Sequence, residues 1–126
     1  MLVEGDDLDE PIADELRGLL DGHVVLSRSL AQRGHYPAID VPRSLSRLAD
    51  RLVSPEHARA AAAVRAHLAL YEQKRDLIAL GAYPKGSDPR LDAALARIEA
   101  IEAFLRQPSD ERTALPATVT ALQRLV

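Results

Sequence analysis

Two arginines and one tyrosine are the residues of this 126-residue chain whose type and setting suit chemistry. Arg28 and Arg47 each close a Leu-Ser-Arg tripeptide, and the pair Tyr36-Pro37 lies between them. Arg47 falls in an expected loop after a strand, where functional groups concentrate. A guanidinium there could stabilise charge developing on a transferred phosphoryl group. From residue type alone, a structural salt bridge or a solvated cation is the simpler account of either arginine. Tyr36 is held extended by the proline after it and could offer its face to a planar base. A half-buried core tyrosine fits the same residues.

The remaining polar groups carry weaker signals. His23, His35, His57 and His67 show no zinc-ligand spacing with carboxylates, and all four are read as structural or surface groups. The acidic opening Glu4-Gly5-Asp6-Asp7 lacks EF-hand spacing, and a preference for acids at a helix start explains it as well. There is no GxxxxGK(S/T) phosphate-binding loop, no strand ending in a metal-binding Asp ahead of such a loop, and no serine or cysteine triad. By itself this chain cannot cradle a triphosphate in the usual way.

These groups must be positioned by short elements. Met1 to Val3 reads as the tail of a strand. Pro11, preceded by Asp9 and Glu10, opens a helix carrying Ile12, Leu16, Leu19 and Leu20, which Asp21-Gly22 ends. Val24–Leu26 is a candidate buried strand, Ser27 to Arg33 a short helix stopped by Gly34, and Ala38–Val41 a weaker second strand. The alternation suggests the edge of an α/β domain.

The pattern then changes. Ser54-Pro55-Glu56 is a strong helix start, followed by a stripe of Ala61, Val64, Leu68, Tyr71 and Ile78 that Gly81 closes. After the turn cluster Pro84–Pro89, a helix carries Leu91, Leu95, Ile98, Ile101 and Leu105 up to Pro108. A last helix from about Pro116 uses Val119, Leu122 and Leu125. The expected fold class is an α/β fragment over 1–50 followed by an all-α helical domain over 51–126, mostly α overall.

Bulk properties bound the function. Apolar residues make up 47% and charged residues 28%, an ordinary globular balance. Aromatics are only 3%, which favours closely packed, alanine-rich helices. The net charge of −3 and the lack of a Lys/Arg stripe argue against a nucleic-acid partner. With no cysteine there is neither a disulfide framework nor a thiolate metal site. No run approaches the roughly 18 apolar residues of a membrane span.

The segments VEGDD (3–7), PIADELRGLLDGHVVLSR (11–28), RGHYPAID (33–40) and SLSR (44–47), with GAYPKGSDP (81–89) and IEAFLRQ (101–107), occur in order along the chain. Together they resemble the C-terminal third of the type III secretion and flagellar protein-export ATPases, relatives of the rotary ATP synthase catalytic subunits. The resemblance implies the edge of a RecA-like parallel sheet over 1–50 and a substrate- and chaperone-docking helical domain over 51–126. It also implies a homohexamer with ATP and Mg2+ between subunits, stalk and regulator partners, and a cytoplasmic location at the inner-membrane base of the export apparatus. Arg47 matches the arginine finger that reaches the neighbouring subunit's nucleotide. Tyr36 matches the aromatic residue that packs on adenine in its own subunit, and Arg28 is given a structural role.

Two departures stand beside the match. The phosphate loop, its lysine, the catalytic glutamate and the metal-binding aspartate would all lie upstream, so this chain alone should not hydrolyse ATP or bind it tightly. Pro42-Arg43 follows Val41 where the family carries small or apolar residues. Relatives also often place a second aromatic near adenine, and Phe104 is the only phenylalanine here. The alternative from another class is a free-standing helical interaction module without nucleotide chemistry.

Overall fold

A computed structural model describes Gly5 and residues 7–126. The strand stub read at Met1–Val3 and most of the acidic opening lie outside the described residues. Helix α1 spans Pro11–Leu19. Proline sits in its first turn, where no amide donor is needed, and the Glu10 carboxylate accepts from the Ala13 amide at 3.3 Å. Only Ala13 of this helix is buried; Ile12 and Leu19 face solvent.

The strands differ from the sequence expectation. Strand β1 is Gly22–His23 and β2 is Leu45–Ser46, paired antiparallel with Gly22 opposite Ser46 and His23 opposite Leu45. The expected strand at Val24–Leu26 does not form. Only Val25 of that run is buried, while Val24 and Leu26 are exposed. The Val25 amide donates to the Ser44 hydroxyl at 2.9 Å, so a side chain interrupts the ladder where a partner strand would continue it. The second expected strand, Ala38–Val41, reduces to one bridge between Leu26 and Ile39. Residues 41–43 turn instead, since Pro42 has no amide to donate and the Asp40 carboxylate accepts from the Arg43 amide at 3.2 Å.

Between these pieces, α2 spans Arg28–Gln32 with Ser27 as its N-cap. Gly34 follows at φ 71, a conformation that glycine adopts without strain. A short α3, Ala49–Leu52, had no sequence signal.

The helical part follows the sequence closely. Helix α4 runs Pro55–Ala79 from its Ser54 cap, and Gly81 at φ 67 ends it. Helix α5 runs Pro89–Leu105 from its Asp88 cap, and α6 runs Leu115–Gln123. The turn between α4 and α5 is locked by the Tyr83 hydroxyl, which donates to Asp92 Oδ1 at 2.8 Å, and by the Gly86 amide on Asp92 Oδ2 at 2.9 Å. Helix α4 packs on both α5 and α6. Their shared core holds Ala60, Val64, Ile101 and Leu122, with Leu68, Phe104, Leu105 and Leu125 packed around it. On α5 the deeply buried stripe is Leu91, Ala94, Ile98 and Ile101, so Ala94 takes the place expected of Leu95.

The N-terminal segment lies against this bundle. A cleft between them is lined by Leu30, Arg33 and Arg43 from one side and by Leu68, Glu72 and Glu102 from the other.

Candidate functional site

Arg47 leaves β2 directly. Its amide donates to the Asp21 carbonyl at 2.8 Å, which continues the β1–β2 pairing by one bond. Gly22 makes that pairing close: a Cβ there would stand 2.6 Å from the Leu45 carbonyl oxygen, so only glycine fits. Arg47 is exposed, and its Nη1 donates to the Gly18 carbonyl at 3.3 Å. Gly18 lies in the last turn of α1, whose final carbonyls lack intrahelical partners and attract cations. One long, solvated bond of this kind contributes little, so the guanidinium can leave it for a stronger anionic partner.

The stretch before Arg47 is firmly tied. The Ser44 hydroxyl donates to the Asp40 carbonyl at 2.7 Å while accepting from the Val25 amide. Arg65, on α4, uses one nitrogen to reach the Val41 carbonyl at 3.1 Å and the Ser44 carbonyl at 3.2 Å. His23 Nε2 lies 3.2 Å from the Arg43 carbonyl. None of Ser44, Arg65 or Gly22 stood out as a site residue in the sequence. Arg65 carried no signal, being one more charged residue on an alanine-rich helix.

Tyr36 sits elsewhere. The residue is 59% exposed, and its carbonyl accepts from the Gln107 amide at 3.0 Å, just past the end of α5. The Tyr36–Pro37 peptide bond is cis. An open groove is formed there by Tyr36, Pro37, Gln107, Pro108, Ser109 and Glu111. Its walls offer one aromatic face, two proline rings and a few polar groups, a lining that suits a flat heteroaromatic base. Phe104 does not line this groove; it packs on the helical core. Arg47 does not line this groove: Tyr36 lies at the end of α5, Arg47 at the end of α1.

Beside Tyr36, His35 is buried at 7% exposure. Burial, together with the Arg106 and Arg33 guanidiniums, lowers its pKa from 6.5, while the Glu102 carboxylate works in the opposite direction. The folded state therefore favours the neutral ring. That stability is fully present above the unfolded value and is lost as pH falls through the folded one. Unfolding midpoints are expected to drop between about pH 7.5 and pH 5.5, and the drop should shrink in His35→Gln. Equal pH dependence in both proteins would show that His35 is not the group responsible.

The other candidates are simply placed. Arg28 opens α2, so the two Leu-Ser-Arg tripeptides have different backbone settings, one starting a helix and the other leaving a strand. Among the described residues no three His, Asp or Glu side chains converge where a metal ion could be held. The described residues by themselves therefore do not fit a Mg2+ site. Among the described residues no helix is long and apolar enough to cross a membrane.

This arrangement has close counterparts. The T3SS EscN ATPase C-terminal domain family matches residues 53–124, and the ATP synthase alpha/beta family nucleotide-binding domain matches residues 1–46. The flagellum-specific ATP synthase of Treponema pallidum (strain Nichols) is 53% identical over 125 residues, covering 99% of this chain and 28% of that relative. The assembled ATPase EscN from the enteropathogenic E. coli type III secretion system superposes with a TM-score of 0.93 at 38% identity, over 99% of this chain and 30% of that one. EscN in complex with its central stalk EscO superposes with a TM-score of 0.85 at 39% identity, over 91% of this chain and 28% of that one. The chain thus spans under a third of the length of the curated relatives it matches. With family models matching on both sides of residue 50 and the same fold in the solved relatives, the chain belongs to the type III secretion and flagellar export ATPases of the ATP synthase alpha/beta family, to whose C-terminal region it corresponds.

Proposed function

We propose that this chain supplies the C-terminal part of an ATPase subunit that energises protein export through a type III secretion or flagellar apparatus. Residues 1–50 form the edge of a RecA-like core, and residues 51–126 form a helical domain that docks export chaperones and their substrates. The working enzyme is a homohexamer at the cytoplasmic face of the inner membrane, with stalk and regulator proteins as partners and ATP with Mg2+ between subunits. The EscN–EscO complex of a relative supports the stalk partner.

The observation that carries the site assignment is the separation of Tyr36 and Arg47 by different elements of one chain. Groups that serve two different nucleotides need this separation. Tyr36, in the groove with Gln107 and Pro108, stacks on the adenine of its own subunit's ATP. Arg47 exchanges its weak bond to the Gly18 carbonyl for the γ-phosphate in the neighbouring subunit. There its fixed positive charge stabilises the negative charge spread over the phosphoryl oxygens as the bond to the leaving group lengthens. The phosphate cradle, the metal and the residue orienting the attacking water come from sequence outside this chain.

Tyr36→Ala in the full-length enzyme tests the base groove. Loss of one stacking contact is worth roughly 1–3 kcal/mol, so the Kd for ATP should rise about 5- to 150-fold. The turnover number at saturation should change much less. Titration with a fluorescent ATP analogue reads the first quantity and steady-state kinetics the second. Unchanged affinity would return Tyr36 to a purely structural role.

A further inference from the structure

With Arg47 taken as the finger proposed above, we infer that Arg65 is its positioning residue, and that through it α4 of the helical domain sets the reach of the finger into the neighbouring site. The turn at 41–44 is the joint between Asp40 and strand β2, and it is closed by the Ser44 amide, which donates to the Asp40 carbonyl at 3.0 Å and the Val41 carbonyl at 3.2 Å. Val41 and Ser44 are the two whose oxygens Arg65 holds, both through Nη1, at 3.1 and 3.2 Å. Ser44 is three residues from Arg47, with only the two-residue strand between them. That strand is anchored on its far side by Asp21 and Gly22.

The segment is therefore held from two directions. The β1–β2 pairing ties it to the core edge, and Arg65 ties it to the middle of the 25-residue helix α4. Among the described residues, no other side chain from α4 is hydrogen-bonded to residues 41–47. A guanidinium suits this task because it carries several donors on a rigid plane and one nitrogen can serve two acceptors. A displacement of α4, such as a partner bound to the helical domain would produce, pulls on Val41 and Ser44 and so on the base of the finger. Misplacing a reacting group by about 1 Å can cost about 10²-fold in rate.

The test is a double-mutant cycle in the full-length assembled ATPase. Arg65→Met removes both bonds and keeps much of the apolar stem. It is expected to lower kcat about tenfold while KM for ATP stays within about twofold, since Tyr36 is untouched. In an Arg47→Ala background the same substitution should produce no further loss, because the two residues act through one contact. Amide exchange supplies a readout independent of activity: protection at Ser44 to Arg47 should fall in Arg65→Met while protection in α1 is kept.

An Arg65→Met loss that adds in full to that of Arg47→Ala, or unchanged kcat and exchange, would overturn the positioning role. If Arg65→Met does not assemble, Arg65→Lys, which retains the charge without the planar grip, goes through the same cycle with the same criteria. The failure of the finger assignment itself looks different: Arg47→Ala alone would then turn over normally.

Discussion

Arg47→Ala in the full-length enzyme is expected to lower ATP turnover by roughly 10³- to 10⁵-fold while leaving nucleotide affinity nearly intact. At about 1.4 kcal/mol per tenfold, this is about 4–7 kcal/mol of transition-state stabilisation. The size follows from where the charge acts. In the isolated chain the guanidinium is solvated and touches one carbonyl at 3.3 Å, an interaction of little worth. In the closed, water-poor intersubunit site proposed above, the same charge would meet phosphoryl oxygens whose charge is redistributing, with little solvent to screen it. Affinity should change little because the proposed base contact is made by Tyr36, in a groove that Arg47 does not line. Arg47→Lys should recover only part of the rate, since an ammonium lacks the planar fork. Steady-state kinetics beside equilibrium ATP binding decides the matter: near-normal turnover of Arg47→Ala would remove the finger assignment.

Ile101→Ala is expected to be the most damaging single substitution for stability. Ile101 is fully buried where α4, α5 and α6 meet, against Ala60, Val64 and Leu122. Removing three carbons there leaves a cavity among helices that are already closely packed on alanine, with little room to collapse. The cost is roughly 2–5 kcal/mol, a large share of a small domain's stability of about 5–15 kcal/mol. The thermal midpoint should fall by roughly 10 °C or more. Ile101→Val should cost only about 0.5–1.5 kcal/mol. Calorimetry or circular dichroism of both variants checks the ordering, and a midpoint for Ile101→Ala within a degree of the parent would contradict this account of the core. The substitution bears on function too, because α5 ends next to Gln107, whose amide holds the Tyr36 carbonyl.

The helices were legible in the sequence because the signals that make them are local. Ser54, Asp88 and Ser27 cap their helices with side chains that accept from backbone amides two to three residues on, and Gly34 and Gly81 end theirs by a backbone angle few other residues adopt. The apolar stripes of α4 and α5 repeat over many turns, so individual errors such as Leu95 for Ala94 leave the pattern intact. The strands were not legible. Val24-Val25-Leu26 has the composition of a buried strand, yet its ladder position is occupied by the Ser44 hydroxyl, nineteen residues away. The true pair, Gly22–His23 with Leu45–Ser46, is too short to show any alternation and depends on Gly22 having no side chain.

The same division runs through the candidate site. Sequence by itself determined which side chains are suited to phosphate and to a base, since a guanidinium and a phenol ring are chemical properties of Arg47 and Tyr36, and the ordered motifs around them fixed the family resemblance. It also determined the helical frame, through caps and stripes only a few residues long. What only the tertiary structure decided is where those side chains stand. Arg28 and Arg47, in identical tripeptides, are separated because one starts α2 and the other leaves β2. Arg65 is joined to the segment leading into Arg47 by bonds that span 21 and 24 residues. Tyr36 acquires a groove only where Gln107 and Pro108 meet it across the fold. Contacts at such separations form only when the whole chain packs, because their positions are set by the relative placement of helices and not by any local preference of the residues that make them.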